Sequence, residues 1–143
     1  FVLFNKACSG YVGHDHALFN DLMRLNTVHR HNLLALMLQH EASLDPLALA
    51  LHAANVQRDR MPRRRLSSTD IVARTLPKVQ ARVSAIYGEN DALYGPRLPE
   101  VQAAMEQLAP RWGQWHTVPG VGHWVPYEAT ERFNAALIQV LRA

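Results

Sequence analysis

The 143-residue chain has a single cysteine, Cys8. One thiol cannot build an internal disulfide framework or a cysteine-rich zinc site, and a reducing, cytoplasmic setting is the expectation that fits it. No apolar run approaches the roughly 18 residues needed to span a bilayer, so no membrane partner is expected. Lysine is scarce: of 15 basic residues only Lys6 and Lys78 are lysines, and the net charge is +3. That excess is too small to argue for nucleic-acid binding. Internal repeats and low-complexity tracts are also missing. The chain opens on Phe1 rather than Met, so the lack of a leader carries no information, and the expectation is a piece of a longer protein. What remains is ordinary globular composition, 48% hydrophobic and 19% charged, at a length that suits one domain with a real core.

The hydrophobic pattern changes character along the chain. "FVLFN" (Phe1 to Asn5) reads as a buried strand running into the polar loop "KACSGYVG". From Ala17 to about Pro77 the spacing is helical, with Leu33, Leu34, Met37 and Leu38 predicted on one face. In "LDPLALALHAANVQ" Asp45 is a good N-cap and Pro46 suits the first helical position. Ser68 or Thr69 is predicted to cap a further helix that Pro77 stops. Then "ARVSAIYG" (Ala81 to Gly88) reads as a strand, "PEVQAAMEQLA" as a helix, "QWHTVPG" as a strand, and "EATERFNAALIQVLRA" as a last helix using Phe133, Leu137, Ile138 and Leu141. Strands alternating with helices at this spacing predict a parallel α/β sheet.

Parallel α/β sheets gather ligands and reactive groups at the carboxyl ends of their strands. Two such ends carry usable chemistry. "AIYGENDAL" puts Asp91 just after a strand and a glycine turn, and "HTVPGVGHW" puts His123 just after the next strand. Asp91 alone is ordinary turn chemistry, and His123 alone is one loop histidine among eight. Together they are more specific. A carboxylate accepting the Nδ1 proton would fix the imidazole tautomer and leave Nε2 to take a proton from a nucleophile.

These two segments, "ARVSAIYGENDAL" and "VPGVGHWVPYEATERFNAALIQVL", resemble the C-terminal part of an α/β-hydrolase. That family runs nucleophile, acid, histidine in chain order; Gly88–Asp91 matches its acid turn and Gly122–His123 its histidine turn. The tail "GHWVPYEATERFN" is similar to the carbon–carbon-bond hydrolases of aromatic meta-cleavage pathways and their esterase-like relatives. The resemblance implies a partial α/β-hydrolase fold of parallel strands, flanking helices and a helical cap. Residues 1–16 would then be a strand and loop leading into the cap, 17–80 the cap, and 81–143 the last strand–helix–strand–helix of the core. It implies hydrolysis of an ester or a carbon–carbon bond of a small hydrophobic or acidic molecule, with Asp91 and His123 catalytic and no metal or organic cofactor. Trp124 would wall the substrate pocket, and Phe19, Leu33 and Met37 would face it from the cap, with core packing the competing reading for each.

The family's nucleophile elbow, G-x-S-x-G, is absent from the sequence. Ser9 in "ACSGY" follows a strand, but Tyr11 stands where the elbow needs a small residue, and no further strand is visible between Ser9 and Ala81. The expectation is a nucleophile and oxyanion-hole loop upstream of Phe1, a serine or, as in relatives with this layout, an aspartate; the chain alone is then inactive. Half a parallel sheet would also expose a strand edge on its "FVLFN" side. Self-association, or pairing with the missing N-terminal part, is expected to cover that edge.

Other signals are weaker. His14 and His16, and His29 and His31, lack the accompanying ligands of a metal site and read as surface or cap-hinge residues. "RDRMPRRR" (Arg58 to Arg65) reads as a solvated basic loop, with attraction of an acidic substrate or carrier second; no aromatic platform accompanies it for nucleic acid. The alternative from another class is a non-catalytic binding or assembly module that uses the hydrolase scaffold and this basic cap.

Overall fold

A computed structural model describes residues 22–58 and 69–142. The expectations for "FVLFN", Ser9, His14, His16, Phe19, Ser68 and all of the basic cluster beyond Arg58 fall outside the described residues.

The first described element is α1, Leu22–Asn32. The helical pattern predicted to continue through Gln39 does not stay α-helical: Leu33–Met37 form a π turn closed by the Leu38 N–H donating to the Leu33 carbonyl at 2.8 Å, after which Leu38 is extended. The wider turn changes which side chains share a face. Leu33, Met37 and Leu38 are buried as expected, but Leu34 is 37% exposed. Helix α2, Pro46–Gln57, starts as its sequence demands, with the Asp45 carboxylate accepting the Ala48 N–H at 2.7 Å and Pro46 in the first turn. The next helix is short. Helix α3 covers Ile71–Thr75, and Pro77 sits inside the 3-10 turn Leu76–Lys78 rather than marking the stop. Asp70 holds the N-cap position without a capping bond from its side chain, which instead lies 3.8 Å from Arg74, while the Thr69 hydroxyl accepts the Ile71 N–H at 3.4 Å.

Strand β1 is Val83–Gly88, α4 is Leu98–Leu108 and β2 is Trp112–Val118. The two strands pair in parallel, as the alternation of strands and helices predicts, from Val83 opposite Trp112 to Gly88 opposite Val118. Both begin at different residues from those the apolar runs suggested. Strand β2 starts two residues earlier than "QWHTVPG" implied, because it carries one extra residue between Trp112 and Trp115, a bulge opposite Val83 and Ala85. The Gln114 N–H at that bulge donates to the Ser84 hydroxyl at 3.1 Å.

After β2 come a short helix α5, Val125–Glu128, and the long α6, Thr130–Arg142, which packs against both strands. Its apolar stripe is shifted from the predicted one. Phe133, Ala136 and Leu137 turn inward, while Ile138 is 46% and Leu141 75% exposed. Two buried clusters result. Val118, Val121, Val125 and Ala129 gather under the end of β2 with Ile86 and Phe133 against them. Leu33, Met37, Leu38, Leu44 and Ala48 form the second, joined by Leu93, Trp124 and Tyr127. The loops after β1 and β2 lie between these clusters.

Candidate functional site

The loops after the two strands are laced together by their backbones. Glu89 N–H donates to the Val118 carbonyl at 3.0 Å and Asn90 N–H to the Val121 carbonyl at 2.9 Å. The approach is so close that a Cβ on Gly88 would lie 2.1 Å from the Gly122 carbonyl oxygen and 2.3 Å from that of Val121. Only a residue without a side chain lets the two strand ends cross at this distance.

This crossing brings Asp91 and His123 together. Asp91 is 1% exposed. Its Oδ1 accepts the Leu93 N–H at 2.8 Å, and its Oδ2 accepts from His123 Nδ1 at 2.7 Å. Both carboxylate oxygens are therefore oriented, one by its own turn and one by the imidazole. A carboxylate can only accept, so Nδ1 carries the proton and Nε2 is the nitrogen available for proton transfer. The His123 side chain is 18% exposed. A buried orienting carboxylate behind a partly open imidazole is the arrangement of a general base with its orienter.

Aromatic side chains line the same strand ends. Tyr87 stacks on Trp115 with ring centroids 4.8 Å apart and meets Tyr94 edge-on at 5.5 Å. Burial, with the negative charge of Asp91 as a lesser cause, pushes both tyrosine hydroxyls above their ordinary range, which keeps them protonated.

Of the pocket residues that the resemblance implies, Leu33 and Met37 are buried in the cluster with Ala48, and Trp124 packs against that cluster with its ring 5.8 Å from Tyr127. His29, taken from sequence as a surface or hinge residue, is buried: its Nδ1 lies 2.9 Å from Nδ1 of His52, also buried, across α1 and α2. Among the described residues no three His, Cys, Asp or Glu side chains gather as a metal-binding group.

Glu128, which the sequence offers only as part of the "GHWVPYEATERFN" resemblance and without a role, is bonded through both of its oxygens. Its Oε1 accepts the N–H groups of Gln39 (2.7 Å) and His40 (2.9 Å), and its Oε2 accepts the N–H of Gly122 (2.7 Å). Beside it, Trp124 N–H donates to the Met37 carbonyl at 2.9 Å and His40 Nε2–H to the Gly120 carbonyl at 2.7 Å. Tyr127 hydroxyl donates to Asp45, the cap of α2; that bond, then the Ala48 N–H, holds the Asp45 carboxyl below its usual range. The turn after β2 is thus tied to residues 37–45 at several points. The signal for Glu128 in the sequence was its place in the "GHWVPYEATERFN" stretch that carries the resemblance; the expected last helix began at this residue, whereas Glu128 ends α5 and α6 starts at Thr130.

The chain carries part of an α/β-hydrolase fold, a parallel sheet with flanking helices whose acid and histidine stand at adjacent strand ends. Among solved structures it is similar to a Burkholderia cenocepacia protein assigned as an aryl esterase, with a TM-score of 0.61 and 28% identity over 86% of this chain and 44% of that one. It is also similar to a proline iminopeptidase of Mycobacterium smegmatis (TM-score 0.56, 19% identity, 87% of this chain and 42% of that one). A third likeness is to a membrane phospholipase A described as a bacterial virulence factor (0.52, 21%, 92% and 46%). The chain therefore spans less than half the length of each of these proteins. No family model and no curated protein matches it. Among the described residues no helix is long and apolar enough to cross a membrane.

Proposed function

We propose that this chain is the acid–histidine half of a serine hydrolase, whose nucleophile and oxyanion-hole donors are supplied by residues outside these 143, and that the bond cleaved is an ester of a small hydrophobic substrate. The observation that carries the reading is the 2.7 Å contact between Asp91 Oδ2 and His123 Nδ1 at the ends of paired parallel strands. The likeness to an esterase at 28% identity supports ester over carbon–carbon cleavage. In the proposed reaction, His123 Nε2 takes the proton of the serine hydroxyl as its oxygen attacks the substrate carbonyl. The imidazolium formed is stabilised by Asp91 and gives that proton to the departing alcohol. Water then repeats the sequence, with His123 accepting its proton and returning it to the serine as the acyl group leaves. The same reading leaves the sheet edge on the "FVLFN" side, or an adjacent strand edge, to be covered by the missing part of the sheet or by a second copy.

The coding sequence upstream of Phe1 is expected to contain G-x-S-x-G after a strand. The full-length protein should cleave p-nitrophenyl esters, and His123→Ala should lower kcat by roughly a thousandfold or more, as loss of the general base does in such triads. Asp91→Asn should act in the same direction with little change in KM, because it spoils the tautomer rather than substrate contact. Undiminished turnover by His123→Ala would remove the assignment. Turnover of a meta-cleavage product with esters untouched would move the reaction to the carbon–carbon class.

A further inference from the structure

Glu128 makes no hydrogen bond to Asp91 or to the His123 ring, yet it fixes the Val121–Gly122 peptide, one residue before His123. Gly122 immediately precedes His123, and its N–H is held by Glu128 Oε2 at 2.7 Å. The other oxygen receives two consecutive N–H groups, Gln39 and His40, from the segment that leaves the π turn. Three donors from two distant stretches of chain converge on one carboxylate, an arrangement that suits an acceptor-only, charged group.

A second observation is independent of those bonds. A Cβ on Gly122 would lie 2.8 Å from Gln39 N, 2.9 Å from Glu128 Oε2 and 2.9 Å from the Met37 carbonyl oxygen. The glycine before the histidine thus makes room for the carboxylate and for segment 37–39 together. Two further bonds, Trp124 N–H to the Met37 carbonyl and His40 Nε2–H to the Gly120 carbonyl, run across the same seam on either side of His123.

We infer that Glu128 is a positioning residue for His123: by clamping the Gly122 peptide to the backbone of Gln39 and His40, it sets the distance of the imidazole from Asp91 and from the nucleophile. The inference rests on the hydrolase reading for its effect on turnover, but not for its effect on the Asp91–His123 bond. The arrangement also makes the imidazole's place depend on segment 38–40, so that a shift of the helices before it moves the base.

The test uses the full-length protein with Glu128→Ala, the near-isosteric Glu128→Gln, and Glu131→Ala as a neighbouring surface-carboxylate control. Two quantities are read per folded molecule: steady-state hydrolysis of a p-nitrophenyl ester, and the downfield proton resonance of His123 Nδ1–H bonded to Asp91. Glu128→Ala is expected to lower kcat by roughly 10- to 100-fold with KM changed less than about threefold, the scale seen when groups that orient a reactive side chain are removed. It should also shift or broaden the Nδ1–H resonance. Glu128→Gln should fall between, because an amide oxygen can still accept one side's N–H groups while its NH2 opposes the donor on the other. Glu131→Ala should match wild type in both readouts.

Equal kcat per folded molecule and an unmoved resonance in both Glu128 variants would overturn the inference and leave Glu128 a packing element only. Should Glu128→Ala fail to fold, the Gln variant decides alone. If the wild type hydrolyses nothing and His123→Ala changes nothing, the hydrolase reading falls, while the resonance still reports whether Glu128 positions the imidazole.

Discussion

Gly88 and Gly122 show how a single atom decides whether the two strand ends can meet. In the sequence each looked like a turn residue beside a reactive group. The reason each must be glycine is instead a crossing with a stretch of chain far away, which local pattern does not reveal. A methyl group on Gly88 would penetrate the carbonyls of Val121 and Gly122, both backbone atoms that cannot step aside without moving the His123 loop. Overpacking of this kind typically costs about 1–3 kcal/mol and more when backbone must move. Gly88→Ala is therefore expected to destabilise by roughly 3 kcal/mol. Gly122→Ala, whose closest approaches are 2.8–2.9 Å, should cost roughly 1–2 kcal/mol. Urea midpoints of the two variants at constant m-value measure both, and a Gly88→Ala midpoint at the wild-type value would contradict the close crossing. Asp91 and His123 were legible for the opposite reason. Strand ends collect polar groups, and the only thing required was that the two strands be neighbours.

At the scale of elements, what the sequence announced locally formed as announced. Asp45 and Pro46 start α2 because cap and first turn lie within three residues of each other. The stretch after α1 was misjudged because its periodicity is equally good for an α-helix. The π turn ends in a tertiary bond from Trp124 to the Met37 carbonyl, and Glu128, more than eighty residues on, holds the two residues just past it, Gln39 and His40. The pairing of His29 with His52 was hidden in the same way, since one sits in a run with His31 and the other in an apolar helix.

That pairing makes a pH dependence. The two Nδ1 atoms share one hydrogen bond, so one ring donates and the other accepts, and both are out of water. Burial lowers both basicities, and the charge of His29 adds to the effect on His52, which falls from 6.5 to about 4. Between these values the unfolded chain binds the proton and the folded chain does not, so stability falls as pH falls. It is complete above about pH 6.5, declines down to about pH 4, and has no further His52 contribution below that. At about 1.4 kcal/mol per unit, with some allowance for hydration of the rings, the loss is roughly 2–3 kcal/mol. Denaturant midpoints between pH 7 and pH 4 should show the decline, and a His29→Leu/His52→Leu double variant should flatten most of it. An unchanged slope in the double variant would assign the acid sensitivity elsewhere.

For the molecule as a whole, the parallel order of β1 and β2 was readable from the alternation of strands and helices, while the partial hydrolase fold came from the resemblance carried by the segments around Asp91 and His123. What the pattern could not supply was the cover for the sheet. Parallel strands belong in the interior of a larger sheet, with neighbours on both edges. Here β1 pairs with β2 on one side, and no other strand among the described residues pairs with its second edge. Val83, Ile86 and Tyr87 in β1 are only half-buried, and Ile138 and Leu141 on α6 face outward. A partial parallel sheet, ending on its "FVLFN" side or at an adjacent strand, is expected to recruit another strand at that edge. The isolated 143-residue chain should therefore run larger than a monomer in light scattering at micromolar concentration. Co-expression with the N-terminal part of the same protein should convert it to a one-to-one complex with a raised thermal midpoint. A monodisperse monomer that melts cooperatively at an ordinary temperature, with no gain from the N-terminal part, would show that the edge is already covered within these 143 residues.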